Sequence, residues 1–137
     1  MFIHAVLLVT ALLFGCSRPQ AVEPPNEVTL YTSADADVVT PIVDAFEKDT
    51  GIKVRWIGDT EATKTTGLVQ RLKSEKDAPR ADVWWSSEPF GTIKLARAGM
   101  LAPYTSDAAE KSIDSGWPKA LRSKDRLWYG FAQRSRV

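Results

Sequence analysis

The 137-residue sequence contains one histidine and one cysteine, His4 and Cys16, both near its start. Their scarcity narrows the chemistry. Beyond His4 no imidazole can act as base for a serine nucleophile, and no G-x-S-x-G turn occurs. Zinc and copper sites, which favour imidazole and thiolate, are poorly served; carboxylates, hydroxyls and tyrosines remain, a donor set that suits hard cations. One cysteine cannot close an intrachain disulfide. Glycine-rich phosphate loops are missing. A surplus of one charge is missing too: 18 basic residues stand against 17 acidic ones, scattered singly, which leaves no visible footprint for nucleic acid or an anionic membrane.

The N-terminus differs from the rest. Residues 1–15 carry no charge, and the apolar run 5–14 is too short to span a bilayer but long enough for a secretory h-region. It ends in Leu13-Phe14-Gly15-Cys16, which resembles a bacterial lipobox. The resemblance implies cleavage before Cys16 and lipidation of its thiol, an anchor stronger than one acyl chain. A buried N-terminal segment with a free thiol is the alternative. Residues 16–26, with Pro19, Pro24 and Pro25, read as an extended tether. Residues 27–137 form one unit, because a chain of this length and 44% hydrophobic content supports a single modest core.

In that unit short apolar runs alternate with amphipathic stretches. VTLY (28–31), IKVRWIG (52–58) and DVWW (82–85) read as strands, with a fourth predicted over 127–131. Between them, 38–50 predicts a helix burying Val38, Ile42, Ala45 and Phe46, with Val39 and Val43 alongside. Pro41 is confined to its first turn and Gly51 stands just past its end. Residues 60–76 predict a helix with Leu68, Val69 and Leu72 inward, and 90–98 a third helix; 104–121 lacks periodicity and reads as loop with room for one helical turn. The alternation implies an α/β fold with a mostly parallel sheet.

In such sheets ligands sit beyond the carboxyl ends of the strands. The turns there are 32–37, 58–60 and 86–89. Ser33, Ser86 and Ser87 supply hydroxyls, and Asp35, Asp37 and Glu88 carboxylates. Each residue has a plainer explanation, since a Ser or Asp before a helix caps its orphan N–H groups for about 1 kcal/mol with no ligand present. Two strand ends carrying the same polar set is what favours a site. Trp84 and Trp85 point to opposite faces, one into the core and the other free to face the rim.

Three stretches, VTLYTSADADVVTPIVDAFEKDTGIKVRW, ADVWWSSEPFGTIKLARAGMLAPY and WYGFAQRSRV, resemble the amino-terminal lobe of extracellular solute-binding proteins of ABC transporters, the ferric-iron-binding group in particular. The resemblance implies a type II periplasmic-binding-protein-like lobe that continues through a hinge near Arg134-Ser135-Arg136-Val137 into a second lobe. It further implies a monomeric, periplasmic or cell-surface carrier, anchored through Cys16, that hands its ligand to an ABC permease and its ATPase without acting as an enzyme. Iron-binding relatives hold a histidine where Asp35 stands and a glutamate where Ser87 stands, with Glu88 one residue on. Asp35 and Glu88 are thus the implied metal ligands, Ser33, Ser87 and Ser135 further ligand-binding residues, and Arg134, in the Arg-x-Arg with Arg136, the implied partner of a synergistic anion beside ferric iron. The family's paired tyrosine ligands belong to the second lobe. A phosphonate, an oxyanion or an organic cation such as a polyamine is the alternative ligand. An orphan interaction lipoprotein and a small carboxylate-based enzyme are alternative functions.

Overall fold

The structure, a computed structural model, describes residues 26–59, 65–111 and 117–132. Cys16, the apolar run 5–14, the expected tether except Asn26, and Arg134 and Ser135 lie outside them. Three strands, β1 (Glu27–Thr32), β2 (Lys53–Gly58) and β3 (Val83–Trp85), form a parallel sheet in the order β2-β1-β3. β1 is central: Leu30 pairs with Trp56 on one side and Val83 on the other, Thr32 with Gly58 and Trp85. Thr29, Leu30, Tyr31 and Thr32 are consequently all buried.

Helices α1 (Ala36–Thr50), α2 (Thr66–Ser74) and α3 (Pro89–Arg97) follow β1, β2 and β3 in turn, which is the repeated strand–helix unit that the alternation predicts. Gly51 ends α1 in the left-handed region, at φ 71°, where its N–H reaches the Glu47 carbonyl. Val39 and Val43 of α1 pack with Leu30, and Val54, Trp56 and Trp85 close over them. Tyr31, the next residue along β1, faces the other way. Its hydroxyl donates to Glu75 at 3.2 and 3.0 Å and its ring lies under Arg71, 4.8 Å from the guanidinium carbon, so the end of α2 covers that face.

Three expectations need correction. Val38, Ile42 and Phe46 are not buried; they are 47%, 50% and 41% exposed. The apolar stripe of α1 is wider than one contact line, so periodicity leaves its rotation open, and a three-stranded sheet covers only the Val39–Val43 edge. Pro41 lies in the second turn of α1 rather than the first, where its missing N–H deprives the Asp37 carbonyl of an α-helical donor. The helix expected over 60–76 is not among these: Thr66–Ser74 is helical, and residues 60–64 lie outside the described residues. The fourth strand is not formed: Tyr129 makes an isolated antiparallel bridge to Arg122. The chain turns between them at Arg126, φ 57°, with Ser123 Oγ accepting the Leu127 N–H. Two short helical pieces, α4 (Asp107–Lys111) and a 3-10 turn at Lys119–Leu121, occupy the stretch read as loop.

Candidate functional site

The carboxyl ends of β1 and β2 open onto a shallow hollow of about 480 Å3, whose walls include Ser33, Asp35, Asp37, Trp56, Gly58 and Asp59. Parallel pairing places it there. With Thr32 level with Gly58, the two chains leave the sheet side by side, and the Asp59 N–H donates to the Thr32 carbonyl at 3.2 Å. Thr32, wholly buried, turns the chain by accepting the Ala34 N–H on its own Oγ1 at 3.0 Å.

Asp35 then occupies the N-cap of α1 in an extended conformation, without a side-chain cap hydrogen bond, though it has contacts elsewhere. Asp59 does serve a helix: its Oδ2 accepts the Leu68 N–H at 3.1 Å, in the first turn of α2. Asp59 and Trp56 were not among the residues singled out from sequence. The signal for Asp59 was its place in a strand-end turn, just after Gly58; Trp56 gave none beyond alternation along β2.

Glu88 has a different position. It is the N-cap of α3, with Oε2 accepting from the Phe90 N–H and Oε1 from the Gly91 N–H, each at 3.2 Å, and Pro89 pre-sets the first turn. Both carboxylate oxygens are thereby engaged, and Glu88 does not border the hollow. Of the two tryptophans, Trp84 donates its indole N–H to Thr92 of α3 at 2.9 Å, while Trp85 packs on the core and lies 5.6 Å from the Phe131 ring.

The turns after β1 and β3 are joined by serines. Ser33 donates its N–H to the Trp85 carbonyl at 3.1 Å, and its Oγ accepts the Ser87 N–H at 3.0 Å. Ser87 is thereby tied to Ser33, which is 6% exposed and borders the hollow together with Asp35. Among the described residues no group of three or more His, Cys, Asp or Glu side chains is gathered closely enough to hold a metal ion. What the arrangement offers is one side of a site: oxygen donors and an indole around an open depression.

No family model matches the chain. Curated relatives do. Iron uptake protein A1 of Synechocystis is 30% identical over 96% of this chain, and the Fe(3+)-binding periplasmic protein of Serratia marcescens 34% over 92%. The major ferric iron-binding protein of Neisseria gonorrhoeae is 29% identical over 81%. The chain spans about a third of the length of these relatives, 36%, 34% and 32% respectively. Among solved structures, a Trichodesmium protein (IdiA, FutA) in complex with iron and citrate superimposes on 77% of this chain and 31% of its own, with TM-score 0.64 and 31% identity. Ferric iron-binding protein A of Mannheimia haemolytica, in an open conformation, gives the same TM-score and identity over 77% of this chain and 30% of its own. Both the sequence and the parallel β2-β1-β3 sheet with its flanking helices lead to one assignment. The chain is a relative of the ferric-iron-binding periplasmic proteins and matches part of the amino-terminal lobe of their type II periplasmic-binding-protein fold.

Proposed function

We propose that this chain supplies the first lobe of an exported substrate-binding component of an ABC importer, and that its cargo is ferric iron carried with a small oxyanion. The observation that carries the reading is the hollow at the ends of β1 and β2, bordered by Ser33, Asp35, Asp37 and Asp59 in a chain whose relatives bind ferric iron. Asp35 is the oxygen ligand to the metal, and Ser87 stands at the edge of the same turn pair. Glu88 serves the site indirectly, by fixing the start of α3. Arg134 and Ser135 take the anion, Cys16 carries the lipid anchor, and a permease with its ATPase receives the cargo. The chain is a carrier and not an enzyme. Capture proceeds by hinge closure, with contacts completed only when a second lobe meets this one.

One lobe alone consequently binds weakly. Calorimetric titration of the chain with ferric citrate is expected to give a dissociation constant of about micromolar or weaker, because half of the contacts are missing. Nanomolar affinity would contradict two-lobe capture. A second reading has one observation in its favour: Trp56 beside three carboxylates suits an organic cation. Spermidine binding more tightly than ferric citrate in the same titration would replace the iron reading with that one.

A further inference from the structure

We infer that Ser33 is a positioning residue: its hydroxyl fixes the turn after β3, and with it the placement of Ser87 and the start of α3. The inference rests on the iron-carrier reading above and adds to it how the two turns are held in register. Three observations carry it.

The pairing of β1 with β3 ends at Thr32 and Trp85. One step on, the Ser33 N–H still reaches the Trp85 carbonyl at 3.1 Å, but the return bond from β3 is accepted by a side chain: Ser33 Oγ takes the Ser87 N–H at 3.0 Å. A hydroxyl therefore continues the ladder past its last backbone pair. Ser33 borders the hollow but is only 6% exposed, so its hydroxyl is held chiefly by its neighbours in the turns.

The bonds beyond it run in series. Ser86 Oγ donates to the Glu88 carbonyl at 2.6 Å and accepts the Glu88 N–H at 3.2 Å, and Glu88 then caps α3 through Phe90 and Gly91. Ser86 has a single proton, and it is committed to that carbonyl, so in the 3.4 Å contact between Ser33 and Ser86 the hydroxyl of Ser33 is the donor. Ser87 Oγ lies 3.3 Å from Ser33 Oγ. Both hydroxyl contacts are long beside the ~2.8 Å usual for such pairs, so the Ser87 N–H bond is the main tie. The geometry of the turn after β3 is thus set by the residue that follows β1.

The test uses the full chain and two readouts, amide hydrogen exchange and affinity for ferric citrate. In Ser33→Ala, exchange of the Ser87 amide rises about fivefold, as loss of one hydrogen bond requires, while amides of the β1–β2 ladder are unchanged and ferric citrate affinity falls by a similar factor. Ser33→Thr restores both. Should Ser33→Ala not fold, Ser33→Cys, which keeps the volume and loses the strong acceptor, gives the same contrast. A uniform rise across the sheet, or an unchanged Ser87 amide, overturns the proposal. So does unchanged affinity in Ser33→Ala when the unaltered chain binds. If the unaltered chain binds no ferric citrate, the carrier reading fails together with the binding role of Ser33; the exchange data still report the latch, which separates the two failures.

Discussion

Glu88 Oε1 accepts the Gly91 N–H at 3.2 Å, and a Cβ built on Gly91 would stand 3.4 Å from that same oxygen, 3.1 Å from Val69 Cγ2 and 2.6 Å from Thr65 Cγ2. α3 begins where α2 begins, and a glycine is what lets the two approach. Replacing it with alanine gains up to ~1 kcal/mol of helix propensity and meets an overpacking cost of about 1–3 kcal/mol. Gly91→Ala is expected to lose about 1 kcal/mol in urea denaturation. Adding Thr65→Ser, which removes the clashing methyl, recovers most of the loss.

The rotation of α1 is tested by two neighbouring valines. Val39 is wholly buried and Val38 is 47% exposed. Val39→Ala should cost about 2 kcal/mol through lost burial and a residual cavity, and Val38→Ala no more than about 0.5 kcal/mol. Equal losses would mean that the helix is turned as its bare periodicity suggests.

Acid and alkali act on different groups. The Arg71 guanidinium, then the Tyr31 hydroxyl, hold Glu75 below the usual carboxylate range; the Val54 N–H, then Lys53, do so for Glu47. A depressed carboxylate contributes stability that is full above its unfolded value, about 4.3, and is lost as pH falls through the lower folded value. Tyr31 moves the other way, raised chiefly by burial and then by its bond to Glu75. Its contribution is full below the unfolded value of about 10 and lost as pH rises through the folded one. Urea midpoints across pH should therefore fall at both ends. Glu75→Gln and Glu47→Gln flatten the acid limb, and Tyr31→Phe the alkaline one.

Glu88→Ala separates cap from ligand. It removes two charge-assisted bonds to the first turn of α3 and should cost about 1 kcal/mol of stability. Ferric citrate affinity, by contrast, should change far less than in Asp35→Ala. An equal loss of affinity in the two variants would return Glu88 to the metal site.

Much of this fold was legible in the sequence because the strands are short β-branched or aromatic runs that end in small polar residues, and each helix has a marked edge. Gly51 marked the end of α1. The rotation of α1 was not legible, since Val38, Val39, Ile42, Val43 and Phe46 make an apolar stripe that two rotations would satisfy. Nor was the end of the chain: LWYGF has the composition of a strand but lacks a partner beyond one bridge at Tyr129. At the site, capping and binding ask for the same residue types, so sequence could not say that Glu88 caps α3 while Asp35 makes no cap bond in α1. The ladder bond through Ser33 depends on parallel register, which one sequence does not specify. Asp59 was hidden by the same ambiguity between cap and ligand.

If the hollow bordered by Asp35 and Asp59 receives ferric iron, paramagnetic line broadening of backbone amides during titration with ferric citrate, referenced to the diamagnetic gallium complex, should begin there. Amides of residues 33–37 and 58–59 are expected to broaden first, and Asp35→Ala to abolish the selectivity. Broadening spread evenly over the surface, or centred elsewhere and indifferent to Asp35→Ala, would contradict it.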